Sequence, residues 1–163
     1  MIFISKYGIK IQIKPIVLRG LFHYKQVNKS DFEAGGILIG RFLSENENVI
    51  IDNYTEPSCY DIRKRYYFER LTKVHQDILN KVWKESCGTQ NYLGEWHTHP
   101  EDVPSPSLHD LRSWRILLQN QNKDVNKLFF IIVGIKEIRI WEGFTNNFEI
   151  NEMKLVDKEN EFV

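Results

Sequence analysis

His97, Thr98, His99 and Pro100 form a His-x-His-Pro run in which two imidazoles stand two residues apart. Alternate side chains of a β-strand share a face, so both rings project side by side and can converge on one ion. Pro100 cannot donate to a sheet ladder, and it turns the chain away at that point. After a short crossing come Ser107 and Asp110, spaced Ser-x-x-Asp. Pro104 and Pro106 break regular structure just ahead of them. A serine with an acid three residues on matches the capping box of a helix N-terminus. Capping alone accounts for Ser107 and Asp110, but not for the histidine pair immediately upstream. One turn into its helix, Asp110 can face back toward the strand end. His97, His99 and Asp110 then supply three protein ligands and leave a fourth tetrahedral position for water, as in catalytic rather than structural zinc sites. Zinc lowers the pKa of such a water to about 7, which makes a nucleophile at neutral pH.

A water-activating site also needs a base. The candidates are Glu33, Glu95, Glu101 and Asp102. Glu95 shares the face of His97 and His99 if the strand is regular. Glu101 and Asp102 sit in the crossing. Glu33 opens the run EAGGILIG, whose small residues let another backbone approach. Local sequence leaves the choice among the four open.

The elements that must position these residues are legible as changes of hydrophobic period. Phe3 and Ile4, then Ile9, Ile11 and Ile13 alternating with Lys10, Gln12 and Lys14, predict strand. Pro15 suits the first turn of a helix running to about Val27, with Val17, Leu21 and Tyr24 on one face. EAGGILIGRFL and NVIIDNYTEP read as a strand pair joined by SENEN, and RYYFER as a further strand. Thr72 to Ser86 reads as a helix, with Val74, Ile78 and Val82 at four-residue spacing and Gly88 beyond its end. NYLGEWHTH is strand-like. Ser107 to about Asn120 is helical, with Leu108, Leu111, Arg115 and Leu118 along one stripe. KLFFIIVG, EIRIWEG and NFEINEMKLV close the chain as three strands. The sum is an α+β domain, a sheet of about six to eight strands carrying two or three helices. Trp96 and Trp114 flank the histidines in sequence and read as core residues.

Bulk properties exclude several classes. The 163 residues are enough for one domain with a real core. Lysine plus arginine equals aspartate plus glutamate at 22 each, which offers no clustered positive charge for phosphate recognition and argues against a nucleic-acid partner. The start lacks the continuous apolar segment of a secretion signal. LFFIIVGI is too short to span a bilayer, so no membrane role is expected. Cys59 and Cys87 stand alone and read as free thiols of a reducing cytoplasm. The Pro-Cys-x-x-Cys of zinc deaminases and the His-Glu-x-x-His of thermolysin-like proteases are both absent.

Taken together, Glu33, His97-Thr98-His99-Pro100 and Ser107-x-x-Asp110 resemble the JAMM signature of MPN-domain metallopeptidases. The resemblance runs from about Gly8 to Gly143. YLGEWHTHPEDVPSPSLHD followed by Trp114 is similar to the prokaryotic JAB-type subfamily, as are RKRYYFER and HQDILNKVW. This resemblance implies a cytidine-deaminase-like MPN fold, α+β, with a central, mostly antiparallel curved sheet flanked by two or three helices, as a single domain over 1–163. It implies one catalytic Zn2+ held by His97, His99 and Asp110. Glu33 would serve as general base and then general acid, and Ser107 as oxyanion donor. The implied substrate is a protein joined through its C-terminus in amide linkage, such as a CD-NTase conjugated by a bacterial E1–E2-like enzyme in CBASS anti-phage defence. The alternatives are a peptidase of another bacterial ubiquitin-like system and a non-catalytic MPN scaffold. The sequence singles out no substrate-binding residue. The Arg63, Lys64, Arg65 cluster reads as a solvated turn, with attraction of an acidic tail as its functional alternative.

Overall fold

A computed structural model of the chain describes residues 1–43 and 47–157. Its strands are β1 (Ile2–Ile4), β2 (Lys10–Ile13), β3 (Gly35–Phe42), β4 (Val49–Tyr54), β5 (Ile62–Lys64), β6 (Tyr67–Glu69), β7 (Asn91–Thr98), β8 (Lys127–Val133), β9 (Ile138–Phe144), β10 (Ile150–Glu152) and β11 (Lys154–Asp157). Its helices are α1 (Pro15–His23), α2 (Thr72–Glu85) and α3 (Leu108–Gln119). Nine strands form one sheet in the order β10-β9-β8-β7-β3-β4-β2-β1-β11, and β5 and β6 form a separate ribbon. The large sheet exceeds the expected six to eight strands. Within it only β2–β4 and β7–β8 pair in parallel, so the expected mostly antiparallel α+β architecture with three helices is what the chain adopts.

Two strand assignments differ from expectation. NFEINEMKLV is not one closing strand. Its halves β10 and β11 are separated by Met153 alone, yet they pair with β9 at one end of the sheet and β1 at the other. The two ends must therefore lie within one residue of each other, which curls the sheet. Met153 N–H donates to the Ile140 carbonyl at the seam (2.9 Å). RYYFER is likewise half of a hairpin, in which Arg63 pairs with Phe68. The predicted SENEN turn falls in part on residues 44–46, which lie outside the described residues.

Strand β8 shows why an unbroken apolar run forms a central strand. Phe129, Ile131 and Val133 pack into one core with Trp96, Leu38 and the α1 residues Val17, Leu18 and Leu21. Leu128, Phe130 and Ile132 pack into a second core under α3, with Trp114, Leu118 and Trp141. Both faces are covered, so no polar alternation is needed. Trp114 stacks on Phe130 with ring centroids 4.5 Å apart and planes 9° from parallel. The expected α3 stripe is corrected by this contact. Leu108 and Arg115 are exposed, and the buried face is Trp114 and Leu118 with Leu111 beside them.

Helix α1 stops at His23 rather than Val27, with Tyr24 as its C-cap, and Gln26 beyond it is fully buried. Helix α2 is held differently. Ile78 is exposed, and the one residue it buries is His75. The Thr55 hydroxyl accepts from Ile37 N–H (2.9 Å) and lies 2.5 Å from His75 Nδ1. His75 Nε2 in turn faces the Asp61 carboxylate at 3.1 Å. Asp61 also accepts the backbone N–H groups of Leu71 (2.8 Å) and Ser58 (2.6 Å). A Thr–His–Asp line with every member satisfied thus anchors the start of α2.

Candidate metal centre

Strand β7 sits between β3 and β8, with Gly35 opposite His97 and His97 opposite Ile132. Alternation sends Trp96 and Thr98 into the first core and turns Glu95 and His97 toward α3. His99 continues past the strand end, its N–H bonded to the Val133 carbonyl (3.0 Å). The β7–α3–β8 path is a parallel crossover, and its loop is clamped. Ile135 N–H donates to Glu101 O (2.7 Å), and Lys136 N–H donates to Asp102 O (3.0 Å). Pro104 is buried against Gly134, where a Cβ would fall 2.6 Å from the proline ring. These contacts fix where α3 begins.

At that start Ser107 is the N-cap and the capping box is complete. Asp110 N–H donates to Ser107 Oγ (3.2 Å), while Ser107 N–H and Oγ–H both donate to Asp110 Oδ2 (2.6 Å each). The Asp110 carboxylate therefore hangs over the end of β7. His97 Nε2 lies 3.4 Å from Asp110 Oδ1, His99 Nε2 lies 3.4 Å from Asp110 Oδ2, and the two Nε2 atoms are 3.0 Å apart. Among the described residues, His97, His99 and Asp110 form the group able to hold a metal ion. Ligand atoms on a tetrahedral ion with bonds of about 2.0–2.1 Å stand about 3.3 Å apart, so the spacing fits a small divalent cation. The donor chemistry fits as well. Two imidazole nitrogens and a carboxylate oxygen converge within reach of one cation. Burial works to raise the Asp110 pKa, but hydrogen bonds from His97, His99 and Ser107 outweigh it and hold the carboxyl well below the usual range. Burial lowers the pKa of His99, yet Asp110, Glu33 and Glu101 together carry it above the ordinary value. His99 Nδ1 faces the Glu101 carboxylate at 3.6 Å, and Nε2 is the ring nitrogen turned toward His97 and Asp110.

The structure separates the four acids. Glu33 precedes β3 with its side chain only 8% exposed, and Oε1 lies 3.9 Å from His99 Nε2. Burial, with the Asp110 charge adding and His99 opposing, pushes its carboxyl up to about 7. Glu95 is on the expected face but is engaged by the Arg70 guanidinium (2.8 Å). Glu101 backs onto His99, and Asp102 pairs with Lys136 (2.6 Å). His109 stands apart from the other two histidines of its segment and lies against the Tyr67 ring (5.5 Å). A cleft of ≈ 450 Å³ joins these groups, bounded by Tyr66, Tyr67 and Phe68 of the ribbon on one side and Ser107 and Trp114 of α3 on the other. Trp96 is core, as expected, its indole N–H bonded to Thr55 O (3.0 Å).

The basic cluster, read as a solvated turn, has a structural task that the sequence did not signal. Arg63 Nε donates to the Glu33 carbonyl (2.7 Å), and Arg65 donates to Asn28 O (2.8 Å). Glu33 N–H donates to Lys64 O (2.8 Å), so the ribbon grips the Glu33 backbone from both sides. Cys59 and Cys87 are free and exposed.

Residues 17–143, a span that includes Glu33, His97, His99, Ser107 and Asp110, match the family described as prokaryotic homologs of the JAB domain. The chain belongs to that family. It is 33% identical over 156 residues to a "CD-NTase/cGAS isopeptidase" of Escherichia coli (strain TW11681), covering 96% of each chain. It is 36% identical over 143 residues to a protein of the same name from Vibrio cholerae, covering 88% of this chain and 86% of the other. The solution structure of protein DSY2949 from Desulfitobacterium hafniense superposes with a TM-score of 0.63 over 91% of this chain and 92% of the other, at 18% identity, a likeness of fold alone. Among the described residues no helix is long and apolar enough to cross a membrane.

Proposed function

We propose that this JAB-family chain is a zinc-dependent isopeptidase, a single domain over 1–163 working in the cytoplasm. It cleaves the amide bond that follows the C-terminus of a conjugated protein. The substrate we infer is a CD-NTase joined to its target by a bacterial E1–E2-like enzyme in CBASS anti-phage defence. The isopeptidase name carried by relatives that align nearly end to end supports the reaction and substrate class. The observation that carries the reading is a buried carboxyl, Glu33, 3.9 Å from one member of a His–His–Asp ligand set.

His97, His99 and Asp110 would hold the ion. Zinc bound there would supply Lewis acidity at the scissile carbonyl and a water nucleophile that ionises near neutral pH. Glu33 accepts the proton of the attacking water as the C–O bond forms. It returns that proton to the leaving lysine amine as the C–N bond breaks, a role suited to a carboxyl that titrates near neutrality. Ser107 Oγ–H, which donates to Asp110, turns to the developing oxyanion. The substrate tail lies extended in the cleft beside the ribbon, whose edge offers backbone hydrogen bonds. The test is cleavage of a CD-NTase carrying a protein fused after its C-terminus. Cleavage by the wild-type chain, abolished by a chelator and restored by zinc, is the expected result. An intact fusion under all three conditions would leave the non-catalytic scaffold as the better reading.

A further inference from the structure

Gln26 is fully buried, and its amide is satisfied on every side. The nitrogen donates to Arg65 O (2.9 Å) and to Asp31 O (3.3 Å). The oxygen accepts from the Thr98 hydroxyl (2.9 Å), and that hydroxyl accepts Ala34 N–H (3.0 Å). Thr98 N–H closes the loop on Ala34 O (2.9 Å). Thr98 stands between His97 and His99 on the opposite face of the strand, and it too is fully buried. Ala34 directly follows Glu33. One amide therefore ties together the ribbon turn at Arg65, the segment leading into and out of Glu33, and the strand that carries both histidines.

A buried polar chain of this kind carries a desolvation cost that apolar side chains of the same shape would avoid, and its gain is a defined geometry. Here it joins the segments that meet at the proposed metal centre, and its side-chain hydrogen bonds involve none of His97, His99 and Asp110. We propose that Gln26 and Thr98 are positioning residues that set the Glu33 carboxylate against the His97–His99 pair. The inference rests on the isopeptidase reading for its kinetic consequence, but its geometric consequence is independent of that reading. Without the chain, Ala34 keeps its bond from Thr98 N–H and Glu33 keeps the ribbon's backbone grip through Arg63 and Lys64, but the tie that sets the ribbon and this segment against β7 is lost and the Glu33 side chain shifts from its station. A displacement of about 1 Å at a reacting group lowers turnover by up to about 10²-fold.

Thr98→Val and Gln26→Met remove the polar atoms at nearly constant volume, and Thr98→Ser keeps the hydroxyl. Turnover should fall about 10- to 100-fold in Thr98→Val and Gln26→Met, while KM and zinc affinity stay within about threefold and Thr98→Ser retains activity. In crystals of Thr98→Val the Glu33 carboxylate should stand farther than 3.9 Å from His99, with both imidazoles unmoved. Wild-type turnover with Glu33 in place would overturn the proposal. So would zinc affinity falling in step with turnover, since that marks general distortion, or the failure of both apolar variants to fold. If the wild-type chain binds zinc but cleaves nothing, the isopeptidase reading fails, and the crystallographic distance still decides the positioning role.

Discussion

Two histidine–aspartate clusters lie among the described residues, and they differ in whether their side chains converge on an open cleft. Around His75 every nitrogen and oxygen has a partner. The Thr55 hydroxyl faces Nδ1, Asp61 faces Nε2, and backbone N–H groups fill the remaining carboxylate positions. That cluster is sealed, with Asp61 and His75 side chains at 0% exposure. At His97 and His99 the same residue types leave two ring nitrogens aimed at each other beside a carboxylate, at the wall of an open cleft. The first arrangement is complete without a cation and serves to fasten α2. The second has the ligand types, spacing and access that a cation site needs. Residue type alone does not make a metal site; what separates the two is the convergence of three ligand atoms at an open cleft.

Each substitution below breaks one side of that contrast. His97→Ala removes a proposed zinc ligand and should abolish both bound zinc and cleavage, read by metal analysis and by fusion cleavage. Glu33→Gln leaves the ligand set intact, so zinc should remain at one per chain while turnover falls about 10²- to 10⁴-fold. His75→Ala should have the opposite signature. It should cost about 2–4 kcal/mol in denaturant unfolding, because it leaves a buried carboxylate and hydroxyl without their partner, with zinc stoichiometry unchanged. Ser107→Ala should lower turnover by about 10²-fold if the hydroxyl reaches the oxyanion. A stability loss of about 1 kcal/mol with unchanged turnover would confine it to capping α3.

The smallest effect concerns metal-free protein. Burial raises the folded pKa of Glu33 from its ordinary 4.5 to about 7, so the folded chain favours the protonated form. The stability this carboxyl contributes is complete below pH 4.5 and is lost as pH rises through 7. Chelated Glu33→Gln should therefore be more stable than chelated wild type by about 1–2 kcal/mol at pH 8 and no different at pH 4, by thermal or urea unfolding.

The corner proposed to carry this chemistry was legible because it is built from short-range signals. A two-residue alternation places His97 and His99 on one face, Pro100 ends the strand, and Ser107 with Asp110 writes a capping box that the structure reproduces atom for atom. Family resemblance, not local pattern, singled out Glu33, since only the fold brings it across some sixty residues to His99. Other features left no local trace. Leu108 fits a helical stripe by spacing, yet at the first helical position it points to solvent. The curled sheet depends on a single residue, Met153, separating strands that pair at opposite ends. Arg63 and Gln26 look like ordinary surface residues in sequence, and both are bound to backbone groups far along the chain.

The central claim is that the His97–His99–Asp110 group holds the ion that makes this chain a hydrolase. Chelator-stripped protein, titrated with zinc while cleavage of the CD-NTase fusion is followed, tests it most directly. The account predicts no cleavage at zero zinc and full activity at one equivalent for wild type, and none at any concentration for His97→Ala. Full cleavage by the stripped wild-type chain, or by His97→Ala, would contradict it.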